Sequence, residues 1–219
     1  MKRCLAFTLI AAAALITISC NKTSGPTAGY GPNSLFPLTS GDTWYYNDSA
    51  FNDSGLLVAY SDTMVATKAT YTDASGTIYL GLQNPIGWFQ GSYIAVEPNN
   101  TAIYEVDSPA FQPYIMFALV NQDGPIAPAS VDYSNPSCPI TYNQIGYANP
   151  VQAYGNSCYE NVELITDCNN VVLEQTNYFV SPGVGVVRIE DYLTDTVGGA
   201  NKLYEDYSQT LTSTAFPKQ

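Results

Sequence analysis

Histidine is absent from all 219 residues of this chain. With it go the commonest general base, the commonest neutral metal ligand and the side chain that titrates at physiological pH. Ser-His-Asp and Cys-His catalytic arrangements are therefore excluded, and zinc sites are disfavoured. Basic residues are scarce too: seven Lys and Arg stand against 19 Asp and Glu, a formal charge of −12. Nucleic-acid recognition and electrostatic docking on anionic lipid both need clustered Lys and Arg, so no nucleic-acid partner is expected. The acidic residues are scattered singly, as on a soluble, self-repelling surface. Apolar spacing of helical period is lacking beyond the first twenty residues, and no internal repeat is present.

The N-terminus is where long apolar sequence is concentrated. Met1-Lys2-Arg3 is basic, and residues 5–18 are almost wholly apolar. The pattern is that of a secretory signal peptide. It is shorter than the roughly 20 residues that span a bilayer. Thr17-Ile18-Ser19-Cys20 resembles the lipobox of bacterial lipoproteins, in which the cysteine becomes the mature N-terminus. Thr17 stands where Leu is usual, a looseness that Bacteroidota-type lipoproteins tolerate. The alternative is ordinary cleavage near Cys20 that leaves a free thiol. The lipobox implies a diacylglyceryl thioether and an N-acyl chain on Cys20. At about 0.8 kcal/mol per buried methylene, several acyl chains hold a protein durably on a membrane. Asn21 follows, where an Asp would indicate inner-membrane retention in enteric bacteria, and the outer membrane is the expected location.

Loss of residues 1–19 removes Lys2 and Arg3, leaving five basic residues and a formal charge of −14. Residues 20–34 read as the lipidated cysteine and a tether rich in Gly, Pro, Ser and Thr, with a root-mean-square reach of about 20 Å. Residues 35–219 remain as one domain, long enough for a substantial core.

What the chain has in excess is tyrosine, at 18 residues. Tyrosine-rich faces stack on sugars or grip partners at little entropic cost. β-propensity alone selects the same residue, and that structural reading is preferred. The clearest local signal lies in Asn177-Tyr-Phe-Val-Ser-Pro-Gly-Val-Gly-Val-Val-Arg-Ile-Glu-Asp-Tyr192. Pro182 presets φ for the second position of a type II turn and Gly183 supplies the positive φ required next, so these two residues predict a hairpin tip. The β-branched and aromatic residues on either side suit strands. An aromatic strand is expected after a Gly41-Asp42 turn, with Phe36, Leu38, Trp44 and Tyr46 packed under a sheet. Further strands are expected over residues 56–71, 77–83, 93–97, 101–107, 114–120 and 140–147, then over 158–166, 171–180, 184–193 and 202–211. The strand at 114–120 reads as buried on both faces, and 122–135 as a surface loop. Short strands with turn signals every 8 to 12 residues predict an all-β, single antiparallel domain of roughly ten strands, a curved sheet or an open barrel.

The opening Phe36-Pro-Leu with Gly41-Asp-Thr-Trp-Tyr-Tyr46, the later Gly155-Asn-Ser-Cys-Tyr-Glu-Asn-Val162, and the hairpin Tyr178-Phe-Val-Ser-Pro-Gly-Val-Gly-Val-Val-Arg188 together resemble the TapB-like, uncharacterised lipoprotein domain of bacterial cell envelopes. Asp42 stands where Asn is usual, and Ser181-Pro182 is a variation at the turn. The resemblance implies an antiparallel β fold and an envelope location. It brings no activity, no cofactor and no catalytic residues.

Three cysteines remain after Cys4 and Cys20: Cys138, Cys158 and Cys168. An odd count in an exported chain implies one bridge and a leftover thiol, or no bridge. Cys138 with Cys158 is the preferred pair, leaving Cys168 as a free thiol in a turn. No basic neighbour is in sight to activate it. Paired carboxylates are the remaining route to catalysis. Glu160 and Glu163 lie three apart on a strand and face opposite ways, while Glu174 and Glu190 are placed to meet across the hairpin as solvated charges. Asp48-Ser-Ala-Phe-Asn-Asp-Ser-Gly55 offers oxygen ligands but not the spacing of a calcium loop, and a turn is preferred. No catalytic residue, metal or cofactor is expected, and no enzyme activity. The leading expectation is a non-enzymatic, lipid-anchored binding or scaffolding module with a protein, lipid or glycan ligand. The alternatives are a carrier or chaperone for a hydrophobic envelope component, and a glycan binder using exposed Tyr and Trp88.

Overall fold

The structure, a computed structural model, describes residues 35–51, 56–84, 93–97, 102–106, 113–197 and 200–216. The signal peptide, Cys20, the tether and Trp88 lie outside the described residues. Among the described residues, fourteen strands form one antiparallel sheet. In the first half these are β1 (Thr43–Phe51), β2 (Leu57–Thr72), β3 (Ile78–Gln83), β4 (Tyr93–Val96), β5 (Ala102–Val106) and β6 (Tyr114–Ala118). Then come β7 (Gly124–Pro125), β8 (Ser130–Asp132), β9 (Ile140–Gly146) and β10 (Val151–Ala153). The last four are the long β11 (Asn156–Thr166), β12 (Val172–Ser181), β13 (Gly185–Val197) and β14 (Ala200–Ala215). The spatial order is β6-β5-β4-β3-β2-β1-β14-β13-β12-β11-β9-β7, with β8 on β9 and β10 on β11. The sheet is all-β, antiparallel and not closed into a barrel. The chain fills it as two meanders, each built from neighbours in sequence and joined where β1 pairs β14.

The sheet curls until its first edge meets its own inner face. Asn161, on β11, accepts from the Ala118 amide through Oδ1 at 2.9 Å and donates from Nδ2 to the Ala118 carbonyl at 3.1 Å. A side-chain amide thus satisfies both backbone groups of a residue at the end of β6, as a neighbouring strand would. The hydrophobic core lies inside this curl, uniting Met64, Ile94, Ile103 and Phe117 from one arm with Tyr178, Val180, Val186 and Ile189 from the other.

The Pro-Gly tip is a turn as the residues demand. Val184 N donates to the Ser181 carbonyl at 3.0 Å, and Gly183 takes φ of 80°. Gly185 follows with φ of 99°, and a Cβ there would stand 2.7 Å from the Phe36 ring. The tip is consequently pressed against the opening motif: Trp44 Nε1 donates to the Val184 carbonyl and Tyr46 OH to the Val186 carbonyl, both at 3.0 Å. Phe36, Leu38 and Trp44 have no solvent exposure, and Tyr46 has 1%. Two stretches 140 residues apart therefore make one block of core, and every buried polar atom of the Trp and Tyr heads is paired within it.

Where sequence and structure differ, the reasons are local. Residues 114–120 were expected to be buried on both faces, yet β6 is an edge strand, exposed at Tyr114 and buried at Met116 and Phe117. Its apolar run covers the inner face of the curl instead of the middle of a sheet. The expected loop at 122–135 contains β7 and β8, which cover the outer edge of β9, and β10 adds a further short strand. Strands of two or three residues containing Gly and Pro carry no readable alternation. Residues 56–71 form one strand, β2, broken by a bulge at Thr67–Ala69, where Thr67 Oγ1 donates to the Gly81 carbonyl at 3.0 Å.

The preferred disulfide is also corrected. Cys138 is joined to Cys168, with Cα atoms 4.9 Å apart, and among the described residues Cys158 is the free cysteine, fully buried. The cause is register: Thr141 of β9 stands opposite Thr166 of β11, which brings the approach to β9 beside the turn that follows β11. Cys158 lies at the far end of β11, opposite Val151 of β10.

Candidate functional site

Partners directly opposite in an antiparallel sheet share a face, so rows of side chains can be followed from strand to strand. One inner row runs through Asn161, Tyr178, Ile189, Gln209, Asp48 and Tyr60, crossing six strands from β11 to β2. The next row runs through Gln144, Glu163, Thr176, Asp191, Tyr207 and Ala50. Beyond it Ile165 stands opposite Glu174. In the other direction, towards the Pro-Gly tip, the same face is apolar, with Val180 opposite Val186 and Trp44 opposite Met64.

The face changes character along its strands, and at the polar end it is not filled. A cavity of 590 Å³ opens there, walled by Glu163, Glu174, Thr176, Tyr178 and Asp191, with Tyr114 and Met116 of β6 among its lining. Tyr60 and Tyr114, 49% and 43% exposed, belong to its rim, and Tyr207 lies between Tyr60 and Asp191. Three carboxylates from three consecutive strands thus face one space. Tyr178 OH donates to Glu163 Oε2 and Thr176 Oγ1 donates to Asp191 Oδ1, both at 3.0 Å. Burial holds the Glu163, Glu174 and Asp191 carboxyls above the ordinary range, and the negative charge of Asp191 raises both glutamates further. Burial likewise lifts the Tyr178 phenol well above its usual value. Among the described residues, no Lys or Arg lines this cavity.

Behind the rim are two polar side chains with nowhere to turn. Asp48 and Gln209 are 2% and 1% exposed, and neither Asp48 Oδ1 nor either polar atom of the Gln209 amide has a hydrogen-bond partner. Burial raises the Asp48 carboxyl, while the neighbouring Gln209 and Tyr207 side chains partly offset this. Even were the two to bond, one of the three atoms would stay unsatisfied, whichever way the amide is turned.

The outer face carries a separate polar cluster. Arg188 Nε donates to Glu190 Oε1 at 2.8 Å and Tyr192 OH to Glu190 Oε2 at 3.0 Å; Tyr154 OH also donates to Glu190, and its ring lies 4.6 Å from the Arg188 guanidinium carbon. Burial raises the Glu190 carboxyl, but these three donors outweigh it and hold the group below its usual value. Every member has a partner, and the cluster clamps the β10–β11 hairpin onto the sheet. Cys158 of that hairpin packs with Phe179 and Val187, and burial pushes its thiol pKa up, the opposite of the lowered value that activates a cysteine.

The expected pairing of Glu174 with Glu190 does not occur. Glu174 stands opposite Leu193 and Glu190 opposite Asn177, on opposite faces of the sheet. Glu160 and Glu163 do face opposite ways. Asp48 to Phe51 form the end of β1 rather than a turn, and 52–55 lie outside the described residues. The convergence of Glu163, Glu174 and Asp191 was missed by sequence reasoning, as were Asp48 and Gln209. Only the register could have revealed either.

A second hollow of 800 Å³ lies at the β7–β9 edge, lined by Pro125, Ile126, Pro128, Ile145 and Leu164 among others, and is mainly apolar.

No protein-family model and no curated protein matches the chain. Among solved structures, a protein described as exported, with a YmcC-like fold, from Bacteroides fragilis is similar at 10% identity and a TM-score of 0.44, covering 83% of this chain and 98% of its own. A protein described as a lipoprotein from Parabacteroides distasonis is similar at 13% identity and a TM-score of 0.41, covering 84% and 99%. A LolA-superfamily protein from Nitrosomonas europaea is similar at 7% identity and a TM-score of 0.25, covering 88% and 92%. Likeness at such scores carries nothing about ligand or activity.

Proposed function

We propose that this chain is a non-enzymatic binding module, held in the bacterial envelope through Cys20, that takes a small polar ligand into the cavity on the inner face of its curled sheet. The observation that carries the reading is the abrupt change along that face from close-packed core to an unfilled, polar space of 590 Å³. Sites for small molecules commonly span roughly 300–1,000 Å³ and combine apolar walls with a few convergent polar groups. Three carboxylates in the wall make an acyl chain a poor occupant, because each would lose water without gaining a partner. The signal sequence, the Thr17–Cys20 lipobox and the tether support the envelope location, and Asn21 after the cysteine favours the outer membrane. The motif resemblance to the TapB-like lipoprotein domain is in keeping with it.

A carrier of hydrophobic cargo is the second reading, favoured by the apolar hollow beside Ile145 and Leu164. The two readings separate in a native mass spectrum of the full-length protein purified gently from its host. The cavity reading expects an added small polar mass that denaturation releases and that Thr176→Trp, which fills the cavity, abolishes. A bare protein, or a lipid adduct indifferent to Thr176→Trp, would sink it.

A further inference from the structure

The two meanders of the sheet are joined along one ladder, β1 on β14. Within it Asp48 stands directly opposite Gln209, both almost wholly buried on the inner face. Oδ1 of the acid and both polar atoms of the amide have no hydrogen-bond partner. Natural proteins seldom leave such groups unsatisfied without a reason.

Hydrogen-bonding capacity does not choose between the two forms of Asp48. An ionised carboxylate can take an N–H from the amide, leaving Oε1 of Gln209 unpaired; a neutral acid can donate to Oε1, leaving Nε2 unpaired. Charge does choose. The titratable groups around Asp48 are Tyr46 on its own strand, Tyr60 and Asp62 on β2, and Tyr207 on β14. On β13 the row holds Ile189, with Asp191 one row further on, while Arg188 is on the outer face with Glu190. Among the described residues, none of the groups facing Asp48 is a cation, and Asp62 is a second acid. An ionised Asp48 is thus a desolvated charge with no counter-charge, which proteins relieve by taking up a proton. Burial raises the carboxyl, and the Gln209 and Tyr207 side chains offset this only in part.

The open ladder differs in this respect. Parting β1 from β14 admits water to Asp48, and its carboxyl returns to the ordinary range. The closed ladder therefore binds the proton more tightly than the open one. Linkage sets the sign: closure is fully favoured below the ordinary value of about 3.9 and weakens as pH rises from there to the raised value of the closed form.

We propose that the β1–β14 ladder is a proton-dependent joint between the two meanders, closed with Asp48 as the neutral acid and loosened when Asp48 ionises. The joint is independent of the cavity reading above. Tyr60, opposite Asp48, and Tyr207, two residues from Gln209, line that cavity, so loosening also alters its rim.

The test is amide hydrogen exchange of the full-length protein in neutral detergent, which reports local opening strand by strand. Wild type is compared at each pH with Asp48→Asn, a neutral isostere, so that the intrinsic chemistry of exchange cancels. Over β1 and β14, the ratio of wild-type to variant exchange is expected to rise at least tenfold between about pH 4 and about pH 8. Over β11 and β12 it is expected to change less than twofold. Where Asp48→Asn fails to give the wild-type circular dichroism spectrum, Asp62→Asn serves in its place: with the neighbouring acid removed, the wild type should again loosen more steeply with pH than the variant. A ratio constant within twofold across the range overturns the joint. A rise of equal size over β11 and β12 also overturns it, because the effect is then one of global stability.

Discussion

The two ends of one inner face invite comparison. Towards the Pro-Gly tip, Trp44, Phe36, Val180 and Val186 fill the curl, and the Trp44 and Tyr46 heads are hydrogen-bonded to backbone carbonyls. Towards the other end the same strands present Glu163, Thr176, Glu174 and Asp191 around open space. The two ends belong to the same strands, with register shifts between them on the β12–β13 and β1–β14 ladders. They differ in which side chains the rows bring to the inner face. One end supplies the hydrophobic stabilisation that holds the sheet curled; the other accepts desolvated charge, which works against folding. Such division of labour is what a binding scaffold requires: a rigid block next to a site that is not optimised for stability.

The comparison breaks most severely at its filled end. Trp44→Ala removes a ring with no exposure and leaves the Val184 carbonyl without its donor. A loss of about 3–5 kcal/mol is expected from the cavity alone, read as a lowered urea midpoint. Unchanged stability would mean that the opening motif is not part of the core.

A smaller effect separates crowding from backbone strain at the tip. Gly185→Ala has to accommodate both a φ of 99° and a Phe36 ring atom 2.7 Å from the new Cβ. Gly76→Ala, with φ of 89° and open space around it, meets the backbone term only. The first is expected to cost about 1–3 kcal/mol more than the second. Equal losses by thermal melting would show that the tip is not pressed on the core.

The open end gives the smallest effect, and with the opposite sign. Glu163, Glu174 and Asp191 have folded pKa values raised above the ordinary 4.5 and 3.8, with burial the leading cause. Between the unfolded and folded values the native state binds more protons, so stability falls as pH rises through that window. Converting the three to Gln, Gln and Asn is expected to stabilise the protein at pH 7 and to leave it unchanged below about pH 4. The gain should be on the order of 1 kcal/mol in total, since water at the cavity mouth screens part of the repulsion. Melting temperatures of the two proteins that run parallel between pH 4 and 7 would contradict it.

Much of the fold was legible because long strands with β-branched and aromatic residues announce themselves locally. β12, β13 and the Pro-Gly tip were read within a few residues, as were the buried positions of Phe36, Leu38, Trp44 and Tyr46. The site was not legible, and the reason is one residue. Val187 is the extra residue where Val180 pairs Val186 but Phe179 pairs Arg188. Side chains alternate with a period of two, so this bulge exchanges the faces of all that follows on β13. It sends Glu190 outward to Arg188 and Asp191 inward to Glu163 and Glu174. Nothing in the local composition marks Val187 as different from Val186. The cysteine pairing failed for the same class of reason, as it depends on how β9 registers against β11.

The two edges of this sheet have a bearing beyond its interior. A row of free backbone donors and acceptors is a template on which another chain can add, and long sheets are prone to it. Here the first edge is turned inwards, its end held by the Asn161 amide at Ala118, while β7 and β8 cover β9 at the other with a proline in the covering strand. An incoming strand would have to displace a side-chain clasp on one flank and a short, kinked guard on the other. Both devices oppose the edge-to-edge addition to which long sheets are prone.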